Sequence, residues 1–235
     1  MQRPREVLAF GLWGDLAHYK KYYTTMSPLS FSIPTGTVLR GILGAILGIP
    51  ADEAPEQFHD TYIGLALEKP VKKVTIPLNN VKVTSKKHFS RYEQHKPSNY
   101  EFVKDPAYLV YVNCEQQDMQ TELYQRLREH RSVYTVSLGL SETLANFGSA
   151  RMLQVQAFGR ATTDIRTIVP RTKMKPTRDT FENARIFAEK VPVRMLNSRE
   201  VIQYEEYLFD ADGAAIDAEV DNVLTLEDNS KVVLV

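Results

Sequence analysis

Apolar residues occur in short runs separated by polar stretches, and the spacing within each run predicts its secondary structure. Four runs are short and bounded by glycine, proline or polar clusters, as is typical of strands. Another stretch contains Leu123 and Leu127, four residues apart among charged neighbours, which predicts a surface helix at 119–130 that covers one face of a sheet. The predicted strands are 6–13, 71–83, 106–114 and 132–140, with a further short extended piece at 62–67.

The most apolar stretch lies between Pro34 and Pro50 and predicts a buried helix. Thr35 can cap its start, whereas Gly48 and Pro50 mark its end. Its residues leave almost no polar face, and Arg40 is the only charged residue among them. The stretch is shorter than the about 20 apolar residues that a membrane span needs, so we predict a core helix that carries one charge.

The predicted order of elements is βαββαβ over the first 140 residues. This is the order of the ferredoxin-like (RRM-like, split βαβ) arrangement, and we predict an α+β fold. Residues 85–105 have too few apolar side chains to pack alone, which predicts a protruding hairpin arm inserted at about 84–105.

The chain from Arg151 onward is predicted to be β-rich. We therefore expect a ferredoxin-like domain at 1–150 and a β-rich C-terminal subdomain at 151–235 that packs on it. The strand candidates in the C-terminal part are 152–158, 191–195, 204–209 and 232–235.

The composition is typical of a globular protein. With 235 residues, 43% of them hydrophobic, the chain can bury a sizeable core. The single cysteine, Cys114, excludes an internal disulfide and a cysteine-rich zinc site, and its apolar neighbours predict a buried structural thiol. The first apolar run contains Gly11, Gly14 and Asp15, so we predict no signal peptide and expect a cytoplasmic protein.

The formal net charge of zero hides a strong asymmetry along the chain. Residues 71–105 contain eight Lys and Arg against three Asp and Glu, and residues 151–178 contain seven against one. Residues 201–235 contain one against nine. Two basic blocks, of net +5 and +6, are therefore followed by an acidic region of net −8. Such blocks favour a polyanionic partner such as nucleic acid.

No catalytic motif accompanies these charges. The sequence has no Walker loop and no GxGxxG, GxSxG or HExxH motif, and its five histidines are scattered without metal-ligand spacing. We therefore predict no cofactor and no metal site. Lys86, Lys87 and His88 can serve RNA cleavage, with the histidine as base and lysine stabilising charge on phosphate. A solvated loop that touches phosphate is the simpler interpretation.

Two segments combine cations with aromatic rings, as single-stranded nucleic acid requires, because lysines hold phosphates and rings stack on bases. The first is HYKKYY, which begins at His18, and the alternative for it is a tyrosine-rich loop that packs on its own sheet. The second is the hairpin arm. The predicted contacts are His18, Tyr19, Lys20, Lys21 and Tyr22 in the first segment and Lys86, Lys87, His88, Arg91, Tyr92 and Lys96 in the arm.

The lone charge of the buried helix has two interpretations. Arg40 needs a partner in an apolar environment. That partner is either an internal carboxylate or an RNA phosphate near the helix N-terminus, where the helix dipole favours anions.

The second basic block also has two interpretations. Its cations form either a solvated face or a track for phosphates, and one acid among seven cations favours the track. The residues predicted to contact RNA there are Arg151, Arg160, Arg166 and Arg171.

Three N-terminal blocks occur in order: FGLWGDLAH from Phe10, YTTMSPLSFSIP from Tyr23 and GILGAILG from Gly41. With these blocks the chain resembles the Cas5 family of CRISPR-associated proteins, part of the RAMP superfamily of ferredoxin-like RNA binders, and within it the type I-B branch. The segment LGLSE from Leu138, followed by Asn146, resembles the family's glycine-containing loop after the fourth strand. That resemblance implies an RNA contact for Asn146.

The resemblance implies a subunit of a Cascade-type surveillance complex in antiviral defence. Members of this family cap the 5′ end of the CRISPR RNA (crRNA) by binding its repeat-derived handle. They contact the first Cas7 backbone subunit and the large, Cas8-type subunit. Their thumb is a β-hairpin inserted between the second and third strands, which corresponds to the arm at 85–105. We expect this arm to contact RNA or target DNA near the 5′ end of the guide.

The leading hypothesis is a non-catalytic RNA-handle cap within a ribonucleoprotein. The rival is a metal-independent endoribonuclease that processes precursor crRNA, because a type I-C branch of the family cuts RNA with a Tyr-Lys-His set that Lys87 and His88 partly resemble. An RNA-binding protein outside CRISPR biology is a weaker third hypothesis. We expect no membrane partner. The acidic residues 201–235 either contact a protein or form a surface kept away from RNA.

Overall fold

The structure, a computed structural model, describes residues 3–24, 26–81, 95–177, 180 and 185–235. It is a mixed α/β structure in which strands predominate. The helices are α1 (Gly36–Leu47), α2 (Ala54–Gln57) and α3 (Gln117–Arg128), with a short 3-10 helix at Arg171–Lys173. The strands are β1 (Glu6–Gly14), β2 (Leu16–Ala17), β3 (Tyr19–Lys20), β4 (Ser30–Phe31), β5 (Thr61–Leu67), β6 (Lys73–Val81), β7 (His95–Lys104), β8 (Ala107–Cys114), β9 (Ala145–Ile165), β10 (Val169–Pro170), β11 (Met174–Pro176), β12 (Ile186–Met195), β13 (Val201–Asp210), β14 (Ile216–Leu226) and β15 (Lys231–Val233).

One antiparallel sheet forms the centre of the protein, with the strand order β11-β14-β9-β1-β8-β5 and with β15 paired to β14. β1 lies inside this sheet and is apolar on both faces. Leu8, Phe10 and Leu12 belong to one hydrophobic cluster, whereas Val7 and Ala9 belong to a second. This division follows from the strand itself, because successive side chains point to opposite faces.

The local sequence of α1 explains where the helix begins and ends. The Val38 amide donates to Thr35 Oγ1 at 3.3 Å, which caps the first turn. Gly48 adopts the left-handed conformation, with φ of 85°, that terminates the helix. Leu43 and Ile46 are buried in the same cluster as Phe10 of β1, which is worth about 1.5–3 kcal/mol for each side chain. The predicted core helix is confirmed.

α3 covers the same face of the sheet as α1. Leu123 and Leu127 are buried in the cluster that α1 joins, while the charged residues of α3 remain outside. Gln120 is also buried, and its side-chain oxygen accepts a hydrogen bond from the Cys114 amide at 2.8 Å, which ties the helix to β8. The predicted surface helix and the buried position of Cys114 are both confirmed.

One of the four predicted strands is wrong, and a second lies in a different sheet from the one predicted. The strand that follows α1 in the central sheet is β5, whose residues are nearly all buried. The segment 71–83 supplies β6, which pairs with β7 in a separate sheet of order β2-β7-β6 and alternates between half-buried and exposed residues. Residues 132–140 are irregular apart from a bridge between Ser137 and Leu144. The strand that follows α3 in the central sheet is β9, which pairs with β1 from Ala145 onward.

β9 connects the N-terminal and C-terminal parts of the chain. Its first half pairs with β1 and its second half with β14, so the predicted domain boundary at residue 150 lies within one strand. The C-terminal strand candidates overlap β9, β12, β13 and β15, which confirms the β-rich prediction. β12 and β13 form a hairpin that, with β10, makes a three-stranded sheet packed against α1. Among the described residues, no helix combines the length and the hydropathy needed to cross a membrane.

Candidate nucleic-acid interface

The first predicted nucleic-acid segment forms an exposed turn. The pairing of β3 with β4 holds its base. Thr24 closes the turn, since its amide and its hydroxyl both donate to the Lys21 carbonyl oxygen, at 3.2 and 2.9 Å. Tyr22 and Tyr23 therefore lie at the tip, with 61% and 62% of their surfaces exposed.

Glu189 of β12 fixes this turn to the C-terminal hairpin. Its Oε2 accepts a hydrogen bond from the Ser32 amide at 2.7 Å, and its Oε1 accepts one from the Ser32 hydroxyl at 3.0 Å. The same Oε1 lies 3.4 Å from Lys21 Nζ, which also lies 5.4 Å from the centroid of the Phe31 ring. Lys21 is thus held by internal contacts, whereas Lys20 is exposed.

The turn brings three tyrosines together. The rings of Tyr22 and Tyr23 meet edge to face at 5.1 Å, and Tyr22 lies 5.5 Å from Tyr204 of β13. Lys190 Nζ lies over the Tyr204 ring at 5.9 Å from its centroid. We call Tyr22, Tyr23, Tyr204 and Lys190 the tyrosine platform. Exposed rings beside a lysine can stack on unpaired bases while the cation meets phosphate.

Sequence analysis missed Tyr204 and Lys190 as members of the site. Both lie more than 160 residues from the turn, and only the hairpin packing that Glu189 anchors brings them to it. Their local sequence carries no signal like that of the segment from His18, because Lys190 precedes Tyr204 by 14 residues and two glutamates follow Tyr204.

The structure corrects the predicted RNA contacts of His18 and Tyr19, because each is only 1% exposed. His18 Nδ1 lies 2.7 Å from the Glu101 carbonyl oxygen, and its ring lies 5.5 Å from that of Tyr100. Tyr19 donates from its hydroxyl to that of Tyr108 at 3.4 Å. Burial lowers the pKa of His18 and raises the pKa of Tyr19. Both residues support the base of the turn and lie away from its surface.

Arg40 does not have the internal carboxylate partner that was one of its two predicted partners. It is 7% exposed, and its guanidinium donates only to main-chain carbonyl oxygens of the described residues. The charge therefore lies inside the protein, where carbonyl dipoles take the place of the carboxylate, and the RNA phosphate stays a prediction. The acceptors are Phe58 (3.1 Å), Gly36 (3.2 Å), Val193 (3.0 Å) and Thr61 (3.0 Å).

Three of the arginines predicted to form a phosphate track are paired with carboxylates. Two of the three partners belong to the acidic region 201–235, so the two oppositely charged regions neutralise each other on neighbouring strands. The pairs are exposed, which makes them weak and leaves them able to exchange partners. They are Arg160 with Asp221 (2.5 Å), Arg166 with Glu68 (3.3 Å) and Arg171 with Glu206 (2.8 Å).

Asn146 and Arg151, the other predicted contacts on β9, are both exposed. Asn146 pairs in register with Trp13 of β1, whose indole is 40% exposed. The indole lies over Gly148, where an added Cβ would approach it to 3.5 Å. Trp13 therefore offers an aromatic surface beside Asn146 that sequence analysis did not select, although the residue lies in the first of the three N-terminal blocks.

The arm is described only in part. Lys96 is exposed on β7, opposite Asn80 of β6. The other predicted arm contacts, Lys86, Lys87, His88, Arg91 and Tyr92, lie outside the described residues.

Comparisons with known proteins identify a family from the sequence and a shared fold from solved structures. A family model described as "CRISPR-associated protein (Cas_Cas5)" matches residues 7–148. A solved structure titled "Crystal structure of a CRISPR protein from Archaeoglobus fulgidus" has a TM-score of 0.58 and 11% identity, with 97% of this chain and 98% of that chain covered. A chain of a "CRISPR RNA-guided surveillance complex" has a TM-score of 0.55 and 11% identity, with 92% and 91% covered. At this identity the two structures show a shared fold. No curated protein matches the chain in sequence.

Proposed function

We propose that this chain, which belongs to the Cas5 family of CRISPR-associated proteins, is the subunit of a CRISPR effector complex that holds single-stranded guide RNA. The observation that carries this proposal is the tyrosine platform. Two tyrosines with more than half of their surfaces exposed stand beside a third ring and a lysine. Exposed rings grouped in this way are costly in water and useful where bases stack.

The platform would act by stacking and charge together. Each base that stacks on a tyrosine contributes about 1–3 kcal/mol, without a strong preference for sequence. Lys190 and the exposed Lys20 would hold the phosphates on either side of the stacked bases. Because Glu189 fixes the turn to β12, the rings are arranged before RNA arrives, which lowers the entropic cost of binding.

The RNA that we propose is the 5′ handle of crRNA in a Cascade-type complex, where the chain acts as a non-catalytic cap. The proposed neighbours are a Cas7 backbone subunit and a Cas8-type large subunit. We further propose that β9-β1-β8-β5, with α1 after β1 and α3 after β8, is the ferredoxin-like sheet of this family. The β6–β7 ribbon, inserted between β5 and β8, then corresponds to the thumb that reaches target DNA near the guide 5′ end.

Fluorescence anisotropy with labelled repeat RNA tests the platform. Tyr22→Ala and Tyr23→Ala are each expected to weaken binding about tenfold, the loss of one stacked base. Tyr134→Ala is the matched control, because Tyr134 is 49% exposed but lies outside the platform. Equal losses in all three variants, or none in the first two, would contradict the proposal.

The non-catalytic part is tested with the same RNA. Incubation of the purified chain with labelled repeat RNA and chelator is expected to leave the RNA intact. If the chain cleaves the RNA at a specific site and His88→Ala abolishes that cleavage, the endoribonuclease hypothesis is correct and the non-catalytic cap is wrong.

A further inference from the structure

A cavity of about 310 Å³ lies at the N-terminal end of α1, and its lining contains more cations than anions. Three cations, Arg40, Lys173 and Arg194, line it together with one glutamate, Glu205. No carboxylate of the described residues forms an ion pair with any of the three cations. Three exposed arginines on β9 and beside it, Arg160, Arg166 and Arg171, are paired, whereas these more buried cations are not.

Neutral groups are the partners of the three cations. Arg40 uses four of its five N–H groups on carbonyl oxygens. Arg194 Nη1 lies 3.3 Å from His59 Nε2, and Lys173 Nζ lies 3.5 Å from the Leu234 carbonyl oxygen. Buried charges normally have counter-ions, because desolvation of an unpaired charge costs several kcal/mol. The cavity lining therefore carries more positive than negative charge, although Glu205 and Asp221 act on Lys173 without forming an ion pair.

The charges also act on one another. Burial and, to a smaller extent, the nearby positive charge of Arg194 lower the pKa of Arg40 to about 10. Burial likewise lowers the pKa of Lys173, while Glu205 and Asp221 act in the opposite direction. Both shifts mean that burial disfavours the cationic forms, and an anion placed between the cations would relieve them.

A hydroxyl group completes the polar lining. Tyr207 is 4% exposed and lines the cavity. It lies close enough to Glu205 and Arg40 for their charges to shift its pKa in opposite directions. Pro34 and Gly36 place the first turn of α1 at the cavity wall, where the positive end of the helix dipole favours an anion.

We propose that this cavity binds a phosphate group carried by a nucleotide. Three cations and a hydroxyl donor suit the oxygens of phosphate. The remaining wall is apolar and suits a sugar and base, and the volume exceeds that of a bare ion. The apolar lining residues are Leu39, Ile63, Leu65, Ile168 and Val193.

The site is separate from the tyrosine platform. Gln203, Glu205 and Tyr207 alternate along β13 and line the cavity. Tyr204 lies between them in sequence and contacts the platform instead, because successive strand residues face opposite sides. The phosphate belongs either to a free nucleotide or to the end of an RNA strand, and the experiment below separates the two sources.

Isothermal titration of the full chain tests the inference with inorganic phosphate, AMP and two short RNAs of one sequence, one with a 5′-phosphate and one with a 5′-hydroxyl. Saturable binding of AMP identifies a free-nucleotide site. Binding of the 5′-phosphorylated RNA alone identifies an RNA end. In either case Lys173→Met and Tyr207→Phe are each expected to weaken binding about tenfold, the loss of one charge-assisted or buried hydrogen bond.

Two controls keep the test specific. Arg171→Ala removes a cation two residues from Lys173 that pairs with Glu206 outside the cavity, and it is expected to leave phosphate binding unchanged. Tyr22→Ala is expected to weaken the binding of handle RNA but not the binding of phosphate. The proposal for the platform and the proposal for the cavity can therefore be contradicted separately. The proposal would be overturned if inorganic phosphate, AMP and the 5′-phosphorylated RNA all fail to bind, or if wild type and Lys173→Met bind them equally.

Discussion

Arg160 of β9 and Asp221 of β14 form a salt bridge across neighbouring strands, with 2.5 Å between Nε and Oδ1. Glu219 lies 3.4 Å from Nη1 of the same guanidinium. The most basic and the most acidic regions of the chain are thus joined in the central sheet. The net charge of zero therefore includes opposite charges that meet directly in space.

Arg160→Ala is expected to change the affinity for repeat RNA by less than about twofold, because the guanidinium already has two carboxylate partners and its pairing is exposed. Lys190→Ala, which removes the cation of the tyrosine platform, is expected to cause a clearly larger loss. Anisotropy titrations at two salt concentrations measure both. If Arg160→Ala lowers the affinity for RNA more than Lys190→Ala does, the arginines of β9 contact phosphates as the sequence predicted.

The carboxyl group of Asp221 should report the same salt bridge. The hydrogen bond from Arg160 lowers the pKa of Asp221 below 3.8, its ordinary value. A lowered carboxyl pKa contributes stability that is present above the ordinary pKa and is lost as pH falls through the lowered one. NMR titration is expected to show this pKa rising toward 3.8 in Arg160→Ala, and an unchanged value would exclude the pairing in solution.

His18 should make stability depend on pH near neutrality. Its Nε2 is buried without a partner among the described residues, and burial lowers its pKa below 6.5 while Lys20 acts in the same direction and Glu101 opposes it. The unfolded chain therefore binds the proton more tightly. Stability should be complete above 6.5 and fall as pH decreases toward the lowered pKa, with a slope approaching about 1.4 kcal/mol per pH unit.

Urea denaturation between about pH 7.5 and about pH 5 measures this slope. His18→Phe keeps an aromatic ring beside Tyr100 and Phe102 but cannot titrate, so the slope from this site should disappear. An identical slope in the variant would show that other groups control the stability in this range.

Elements whose signals are local could be predicted from the sequence. α1 carries its own cap and terminator at Thr35 and Gly48, and β1 is apolar from Val7 onward. The choice between β5 and β6 as the second strand was wrong because it depends on distant residues. The Ile63 amide of β5 donates to the Val235 carbonyl oxygen at 2.9 Å, so the C-terminal end of the chain completes this strand. The sequence around Ile63 gives no indication of that contact.

The candidate site shows the same limit. The exposure of Tyr22 at a polar turn follows from its neighbours, whereas the Arg40 guanidinium meets the Val193 carbonyl oxygen, 153 residues away. Charge counts found both charged regions but not their pairing, because cross-strand partners are set by register. Sequence therefore identified the exposed turn, and packing decided which side chains remain available.

Arg40→Ala is expected to destabilise the protein by about 3 kcal/mol or more, because it leaves several buried carbonyl groups without donors. Arg126→Ala is the control. Arg126 pairs with Glu122 at 2.8 Å on the surface of α3, and its loss should cost only about 0.3–0.5 kcal/mol. Chemical denaturation compares the two, and similar small losses would mean that the buried guanidinium has no structural role.

Gly139 and Gly41 should respond oppositely to alanine, since their surroundings differ completely. Gly139 has φ of 107°, and an added Cβ would lie 2.0 Å from the His18 carbonyl oxygen. Gly139→Ala should therefore cost at least about 2 kcal/mol and displace the base of the turn that carries Tyr22, weakening RNA binding as well. At Gly41, inside α1, an added Cβ meets no atom within 4 Å.

Gly41→Ala should therefore stabilise the helix by about 0.5–1 kcal/mol, since alanine has the better helix propensity. Thermal unfolding and RNA anisotropy of the two variants distinguish a loop that positions the platform from one that is merely adjacent. If Gly139→Ala lowers stability but the variant, kept well below its unfolding midpoint, binds RNA with wild-type affinity, the loop supports the fold alone. Loss of affinity in the folded variant connects this glycine, through the His18 carbonyl, to the tyrosines at the tip of the turn.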